Sequence, residues 1–145
     1  MMTTRELESW VHEKIPISRS LDFRIYELKK TSVVLQVPLS SNRNHKGSVF
    51  GGSLYNSCLL ACYILAHCEL QDQGLSSEAF VVSSAEMKYL KPVLGDFFVR
   101  VQWSFEDSAL VLQRVKSQKK VRWAFQAQVL WDQKICAEFT GQFVL

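Results

Sequence analysis

The sequence predicts an α+β protein in which one antiparallel sheet wraps around a long central helix. Three observations carry that expectation. The segment from Leu54 to Leu70 is apolar nearly all round, and a helix of that composition needs cover on most sides. Six shorter segments alternate apolar and polar residues, the period of a half-buried strand. The chain has 145 residues, 48% hydrophobic and 21% charged, which suits one globular domain spanning 1–145 with its own core. No repeat or low-complexity tract divides it.

Taken in order, Thr3-Thr4-Arg5-Glu6 reads as a capping box, and Leu7, Trp10 and Val11 form an apolar stripe behind it. Pro16 ends this first helix. Leu21, Phe23 and Ile25 predict a strand, and Val33, Leu35 and Val37 a second one paired with it as a hairpin. Ser40–Gly47 is polar and turn-rich. Gly51-Gly52-Ser53 then opens the central helix, which Gly74 closes. Four strands fill the second half: Val81, Ala85, Met87 and Tyr89; Phe97, Val99, Val101, Trp103 and Phe105; Val121 to Trp131; and Ile135, Ala137, Phe139, Phe143 and Leu145, after a tight turn at Asp132-Gln133. Ser108–Ser117 reads as a short helix between the second and third of these. One sheet curled around one buried helix satisfies every pattern, and that is the hot-dog architecture. The opposite strand faces keep Val82, Leu90, Phe98 and Leu130, so a second covered surface is expected, most simply a homodimer or a dimer of dimers.

Composition narrows the function classes. Lys plus Arg number 17 against 14 Asp plus Glu, a net charge of +3, too weak to argue for nucleic acid. Met1–Trp10 is polar and does not resemble a secretory signal, and the apolar run Cys58–Ala66 is too short to span a membrane. Cys58, Cys62, Cys68 and Cys136 form no CxxC pattern, so no metal or cofactor is expected. Buried, reduced thiols fit a cytoplasmic location.

The most informative stretch runs from Asn42 to Tyr55. A polar loop carrying Asn42, Arg43, Asn44, His45 and Lys46 leads into Phe50-Gly51-Gly52-Ser53 at the helix start. Two glycines there expose backbone N–H groups, and the helix N-terminus carries partial positive charge, so the site can hold a thioester oxygen or an enolate. Ser53 is then an N-cap or a donor to the same oxygen. The plain alternative is that Gly-Gly-Ser merely starts a crowded helix.

Asn44, Gly47, Phe50-Gly51-Gly52-Ser53-Leu54-Tyr55 and Tyr89-Leu90-Lys91-Pro92, with the ending Ala137-Glu138-Phe139-Thr140-Gly141, resemble the hot-dog domain of YiiD C-terminal-type putative thioesterases over almost the whole chain. The resemblance implies action on acyl groups carried as thioesters on coenzyme A or acyl carrier protein. It implies that Asn44 orients substrate or takes part in catalysis, and that Gly51, Gly52 and Ser53 bind the carbonyl, with Phe50 and Tyr89 beside them. Phe50 stands where many hot-dog thioesterases have a His.

One departure matters. Better-known members of the superfamily carry an acid about two turns into the central helix, whereas Leu54–Cys68 contains none and Leu59 and Leu60 fill that stretch. The remaining base candidates are His45 in the loop and Glu86 on the third strand. Glu86 alternates with Met87 and Tyr89 and so points away from the helix, where an ion pair with Lys88 is its ordinary role. A site without a base suits decarboxylation of a malonyl thioester, which needs donors for the enolate and no proton abstraction. A third possibility is a non-catalytic module that binds acyl thioesters. The basic residues Arg114, Lys116, Lys119, Lys120 and Arg122, and the smaller pair Arg43 and Lys46, suit coenzyme A phosphates or an acidic carrier, or else simply guard a strand edge.

Overall fold

The computed structural model describes residues 2–103 and 105–145. Helix α1 (Thr4–Lys14) starts on a complete capping box: the Thr3 hydroxyl accepts from Glu6 N–H at 3.1 Å, and the Glu6 carboxylate accepts from Thr3 N–H at 2.9 Å. It buries Leu7 and Val11 and half-buries Trp10, the three positions of its apolar stripe. A short helix α2 (Ser18–Leu21) follows, so Leu21 is buried from a helical turn and not from a strand. His12 Nδ1 lies 2.8 Å from the fully buried Ser18 hydroxyl, and this bond holds that turn in place of strand pairing.

Strands β1 (Arg24–Lys29) and β2 (Ser32–Val37) form the predicted hairpin. Helix α3 (Gly51–Asp72) is the central helix and starts three residues before Leu54, because the glycines are themselves helical. Strands β3 (Val81–Tyr89), β4 (Phe97–Gln102), β5 (Arg122–Trp131) and β6 (Lys134–Val144) complete a six-stranded antiparallel sheet of order β1-β2-β4-β5-β6-β3. Helix α4 (Phe105–Lys116) takes in the predicted helix but begins at Phe105, so β4 stops at Gln102 and Phe105 does not extend it. The turn between β5 and β6 places Asp132 and Gln133 at φ 51° and 59°, the left-handed pair that matches strand twist in a two-residue hairpin.

α3 lies across the inner face of the sheet on β2, β4, β5 and β6. Leu35, Phe97, Val99, Phe125, Val129 and Phe139 meet Ile64, Leu65 and Leu70 in one core, all essentially without exposure. Each such side chain contributes roughly 1.5–3 kcal/mol by leaving water. The hot-dog fold expected from the sequence is therefore present.

Three β-bulges change which residues face that core. The pairings Ile25–Leu35 and Glu27–Val34 leave Tyr26 unpaired; Val82–Phe143 and Ser84–Gln142 leave Ser83 unpaired; Val129–Ala137 and Leu130–Ile135 leave Cys136 unpaired. Each extra residue shifts the alternation by one. Val82, read from the sequence as outward, therefore shares the register of inward Phe143, while Ile135, read as inward, pairs with Leu130 on the outer face. Tyr26 stands on that outer face against Phe98, with ring centroids 5.0 Å apart.

Two imidazoles lock α1 into this arrangement. The His67 ring stacks on Trp10 at 3.8 Å, and its Nδ1 lies 2.7 Å from Ser77 Oγ. Burial pushes the pKa of His67 down, and burial with Arg19 nearby does the same for His12. A depressed histidine contributes stability that is complete above its free value of 6.5 and is lost as pH falls through the lowered folded value. Glu69, whose pKa burial raises, works in the opposite sense as its carboxyl protonates. The melting temperature is therefore expected to fall between pH 7.5 and 5.5, and His67→Gln should flatten that fall. A pH series of thermal melts on both proteins measures it, and parallel profiles would refute the assignment.

Candidate functional site

The first turn of α3 is built without a side-chain cap. Phe50 is the N-cap in extended backbone (φ −60°, ψ 133°), and its carbonyl accepts from Ser53 N–H at 2.9 Å and Leu54 N–H at 3.2 Å. Ser53 is thus the third helical residue and not the cap. The N–H groups of Gly51 and Gly52 have no acceptor among the described residues. In contrast to α1, the fold leaves these two donors open at the positive end of a 22-residue helix.

Two aromatic rings frame them. Tyr89, at the end of β3, donates its hydroxyl to the Gly51 carbonyl at 3.0 Å, and a Cβ on Gly51 would lie 3.3 Å from the Tyr89 ring. The Phe50 ring lies over Gly52 so closely that a Cβ there would collide with it, the Phe50 Cδ2 atom being 3.0 Å away. Both rings are more than half exposed, at 56% for Tyr89 and 57% for Phe50. A Cβ at either glycine would have to push a ring aside. A cavity of about 270 Å³ beside them is lined by Val49, Leu54, Tyr89, Leu90, Pro92 and Val93 among others.

The loop into this site is held from within. Asn42 is buried and donates both amide hydrogens, to Leu21 O at 2.9 Å and Pro38 O at 2.8 Å, while its own carbonyl accepts from Phe50 N–H at 2.7 Å. It therefore anchors the loop, with no donor left for a ligand. Asn44 is half-buried: its Oδ1 accepts from Lys46 N–H and Ser48 N–H, and its Nδ2 donates to Ser48 Oγ at 2.9 Å, which keeps one Nδ2 hydrogen uncommitted. Arg43, His45 and Lys46 are exposed. The bulge at Cys136 sets the far wall, because its carbonyl accepts from both Leu90 N–H at 2.9 Å and Lys91 N–H at 3.0 Å and so bends the chain directly after Tyr89.

Other sequence candidates lie elsewhere. Glu86 sits on the outer face of β3, paired with Lys88 at 3.7 Å, both side chains well exposed. The larger basic cluster is at the other end of α3: Lys116 Nζ donates to Gln73, which caps the helix C-terminus, about 30 Å along the axis from Gly51. Cys58 is buried on α3, and burial pushes its thiol up to about 12, so it carries no nucleophilic thiolate at neutral pH. The lack of a cap on α3 and the Tyr89–Gly51 bond were not legible as sequence patterns, since both depend on where β3 ends against α3.

The model of the family described as putative thioesterase (yiiD_Cterm) matches residues 4–145. The chain belongs to this family. Among similar solved structures are a putative thioesterase from Shewanella oneidensis, at 24% identity and a TM-score of 0.87 over 97% of this chain and 95% of that one, and a protein of unknown function from Chlorobaculum tepidum, at 26% identity and 0.89 over 97% and 92%. A thioesterase from Haemophilus influenzae matches at 11% identity and 0.76 over 99% and 90%, a likeness of fold.

Replacing Tyr89 with Phe removes one hydrogen bond at an exposed site. The expected cost is about 0.5–1.5 kcal/mol, a drop of a few degrees in melting temperature, and denaturant melts of the wild type and Y89F measure it.

Proposed function

We propose that the chain acts on acyl thioesters of coenzyme A or acyl carrier protein, hydrolysing the thioester at the start of α3. The observation that carries the reading is the pair of open N–H groups on Gly51 and Gly52, set at an uncapped helix N-terminus between two exposed rings. These donors hold the thioester oxygen as charge develops on it, and the Ser53 hydroxyl is a third donor. Water adds to the thioester carbon, the C–S bond breaks, and the thiolate takes up the proton that the water gives off. Asn44 positions the loop and turns its uncommitted amide hydrogen to substrate. Phe50 and Tyr89 flank the carrier arm, Arg43 and Lys46 meet its phosphates, and His45 serves as the base.

The working unit in this proposal is a homodimer joined along β3. That strand is a nine-residue sheet edge with no charge from Val81 to Ala85, and Val81, Val82, Tyr89, Leu90 and Leu94 around it are exposed. The other edge, β1, is guarded by Arg24 and Lys29, and α1 packs on it. Two-fold pairing of β3 strands sets the Val81 end of one beside the Tyr89 end of the other. It thereby carries the basic cluster of one copy, Arg122 among it, towards the glycines of its partner. Glu86 would lie along the same edge. The outer-face residues Phe98, Leu130 and Ile135 would pair dimers. A cytoplasmic location accords with the four free cysteines, and among the described residues no helix is long and apolar enough to cross a membrane. Sedimentation should give twice the chain mass, and a Ser84→Pro variant, which disturbs the β3 edge, should shift it to the monomer.

One observation favours a second reaction. α3 offers no carboxylate from Leu54 to Cys68, and its first acid, Glu69, is buried near the opposite end. Decarboxylation of a malonyl thioester uses the same oxygen donors without a base: the bond to the carboxylate breaks, carbon dioxide leaves, and the enolate takes a proton to give the acetyl thioester. Mass spectrometry of products from acetyl, butanoyl and malonyl thioesters, each on coenzyme A and on carrier protein, separates the readings. Free acid with free thiol is expected for hydrolysis, acetyl thioester from the malonyl substrate for decarboxylation, and no product overturns both. Asn44→Ala is expected to lower kcat/KM at least tenfold with the melting temperature little changed.

A further inference from the structure

Charge is unevenly spread over the surface. From Ser108 to Trp131 the sequence holds no Asp or Glu, yet it carries five of the 17 cations: Arg114, Lys116, Lys119, Lys120 and Arg122. All five are exposed. Four cations elsewhere have an acid beside them, Arg24 with Asp22, Lys29 with Glu27, Lys88 with Glu86 and Lys134 with Asp132, at 3.2–3.9 Å. Arg114, Lys119, Lys120 and Arg122 have no ion pair among the described residues, and Lys116 bonds a neutral amide, that of Gln73.

The backbone holds this cluster in a fixed corner. Lys119 N–H donates to Arg114 O at 3.3 Å and Gln118 N–H to Val115 O at 3.0 Å, with Gln118 left-handed at φ 57°. These two bonds set Lys119 against the last turn of α4, where Arg114 stands. Val121 then exchanges backbone hydrogen bonds with Leu145, at 3.1 and 3.0 Å, and Arg122 opens β5. Cations in the last turn of a helix face its negative end, which accounts for Arg114 and Lys116. It does not account for Lys119, Lys120 and Arg122, which lie beyond the helix. Nor do they guard a strand edge, the alternative the sequence left open, because β5 is an interior strand between β4 and β6.

Exposed apolar residues adjoin the cluster. Leu110 lies one turn before Arg114 on α4, and Val81 stands in one row with Arg122 through Val144. Cations that steer an approach, with apolar side chains beside them, suit a protein partner of opposite charge. A free cofactor fits less well. The arm between phosphate and thioester is the same in coenzyme A and in a carrier protein, so groups that meet only phosphates belong beside the glycines, where Arg43 and Lys46 stand. The α4–β5 corner lies at the other end of α3 in its own chain. Two-fold pairing along β3 brings it towards the glycines of the second copy, since Val81, two strands from Arg122, meets the Tyr89 end there.

We infer that the α4–β5 corner, with Arg114, Lys119, Lys120 and Arg122, is the docking surface for an acidic acyl carrier protein, which presents its thioester to the glycines of the second copy. The inference rests on the homodimer and the site reading given above, and it narrows the carrier to the protein-borne one. Attraction between the cluster and an acidic partner raises the encounter rate and weakens with salt.

The test compares butanoyl and malonyl thioesters of acyl carrier protein with the same thioesters of coenzyme A. It uses the wild type, a double variant Lys119→Glu with Lys120→Glu, and Lys29→Glu on the far edge of the sheet. Anisotropy of fluorophore-labelled acyl carrier protein measures docking apart from chemistry. The double variant is expected to lose ten- to a hundredfold in kcat/KM on the carrier-protein substrates. It should bind the labelled protein correspondingly less and keep its rates on coenzyme A. Lys29→Glu should match the wild type, whose binding should weaken with added salt. Thermal melts confirm folding. Equal losses on both carriers, no loss on either, or wild-type activity on coenzyme A alone overturns the inference while the site reading stands. A wild type that binds the labelled protein through this cluster but turns over none of the four thioesters overturns the site reading and leaves the docking surface. A wild type that does neither overturns both.

Discussion

The burial of α3 is the constraint on which the other features depend. A helix apolar on nearly every side is stable only where something covers it, and here the six-stranded sheet packs along it through β2, β4, β5 and β6, with α2 beside it. That arrangement fixes the helix axis against rigid strands. Its first turn is then held by groups from outside the helix. Tyr89 bonds the Gly51 carbonyl from the end of β3, and Asn42 holds the Phe50 carbonyl's own residue through its N–H. With the helix start immobilised from both flanks, a side-chain cap is unnecessary, and the N–H groups of Gly51 and Gly52 stay available. Preorganised donors of this kind are worth most where they need not move to meet developing charge.

The bulges tie the sheet to the same site. A regular β6 would carry β3 onward past Tyr89. The unpaired residue Cys136 offers its carbonyl to Leu90 and Lys91 instead, so the chain turns away at the level of the helix start. The bulge at Ser83 works at the other end of β3, where it turns Val82 into register with Phe143. Both irregularities lie on or beside the unpaired sheet edge, where bulges are common. The two edges are treated differently. Both carry a bulge, but β1 is six residues long and α1 packs on it, whereas β3 is nine residues long and open.

From Leu54 to Cys68 α3 carries no carboxylate, and its acids, Glu69 and Asp72, lie at the end away from the glycines. Burial keeps the nearby Cys58 protonated, and Glu86 is committed to the outer face beside Lys88. The groups beside Gly51 and Gly52 are thus backbone donors and the Asn44 amide in the loop. Amides neither gain nor lose a proton near neutral pH, so they recognise oxygen without supplying a base.

Much of this was legible in the residues. The apolar run from Leu54 to Leu70, the alternation of six strands and the capping box at Thr3 each follow from local periodicity, and together they specify one sheet on one helix. Phe50-Gly51-Gly52-Ser53 stood out as the candidate site because paired glycines at a helix start permit a close approach to the backbone. Long-range packing decided the rest. Alternation cannot reveal a bulge, since the extra residue is defined by its partner strand, and so Val82 and Ile135 were read on the wrong faces. Leu21 looked like part of a strand because burial, and not conformation, sets its apolar character. Whether Ser53 or Phe50 caps α3 depended on Tyr89 and Asn42, residues distant in sequence that hold the turn from either side. The sequence by itself determined the core and marked Phe50–Ser53 as the candidate site; only the tertiary structure decided which donors remain free there, because a hydrogen-bonding group is spent or spared according to its neighbours in space.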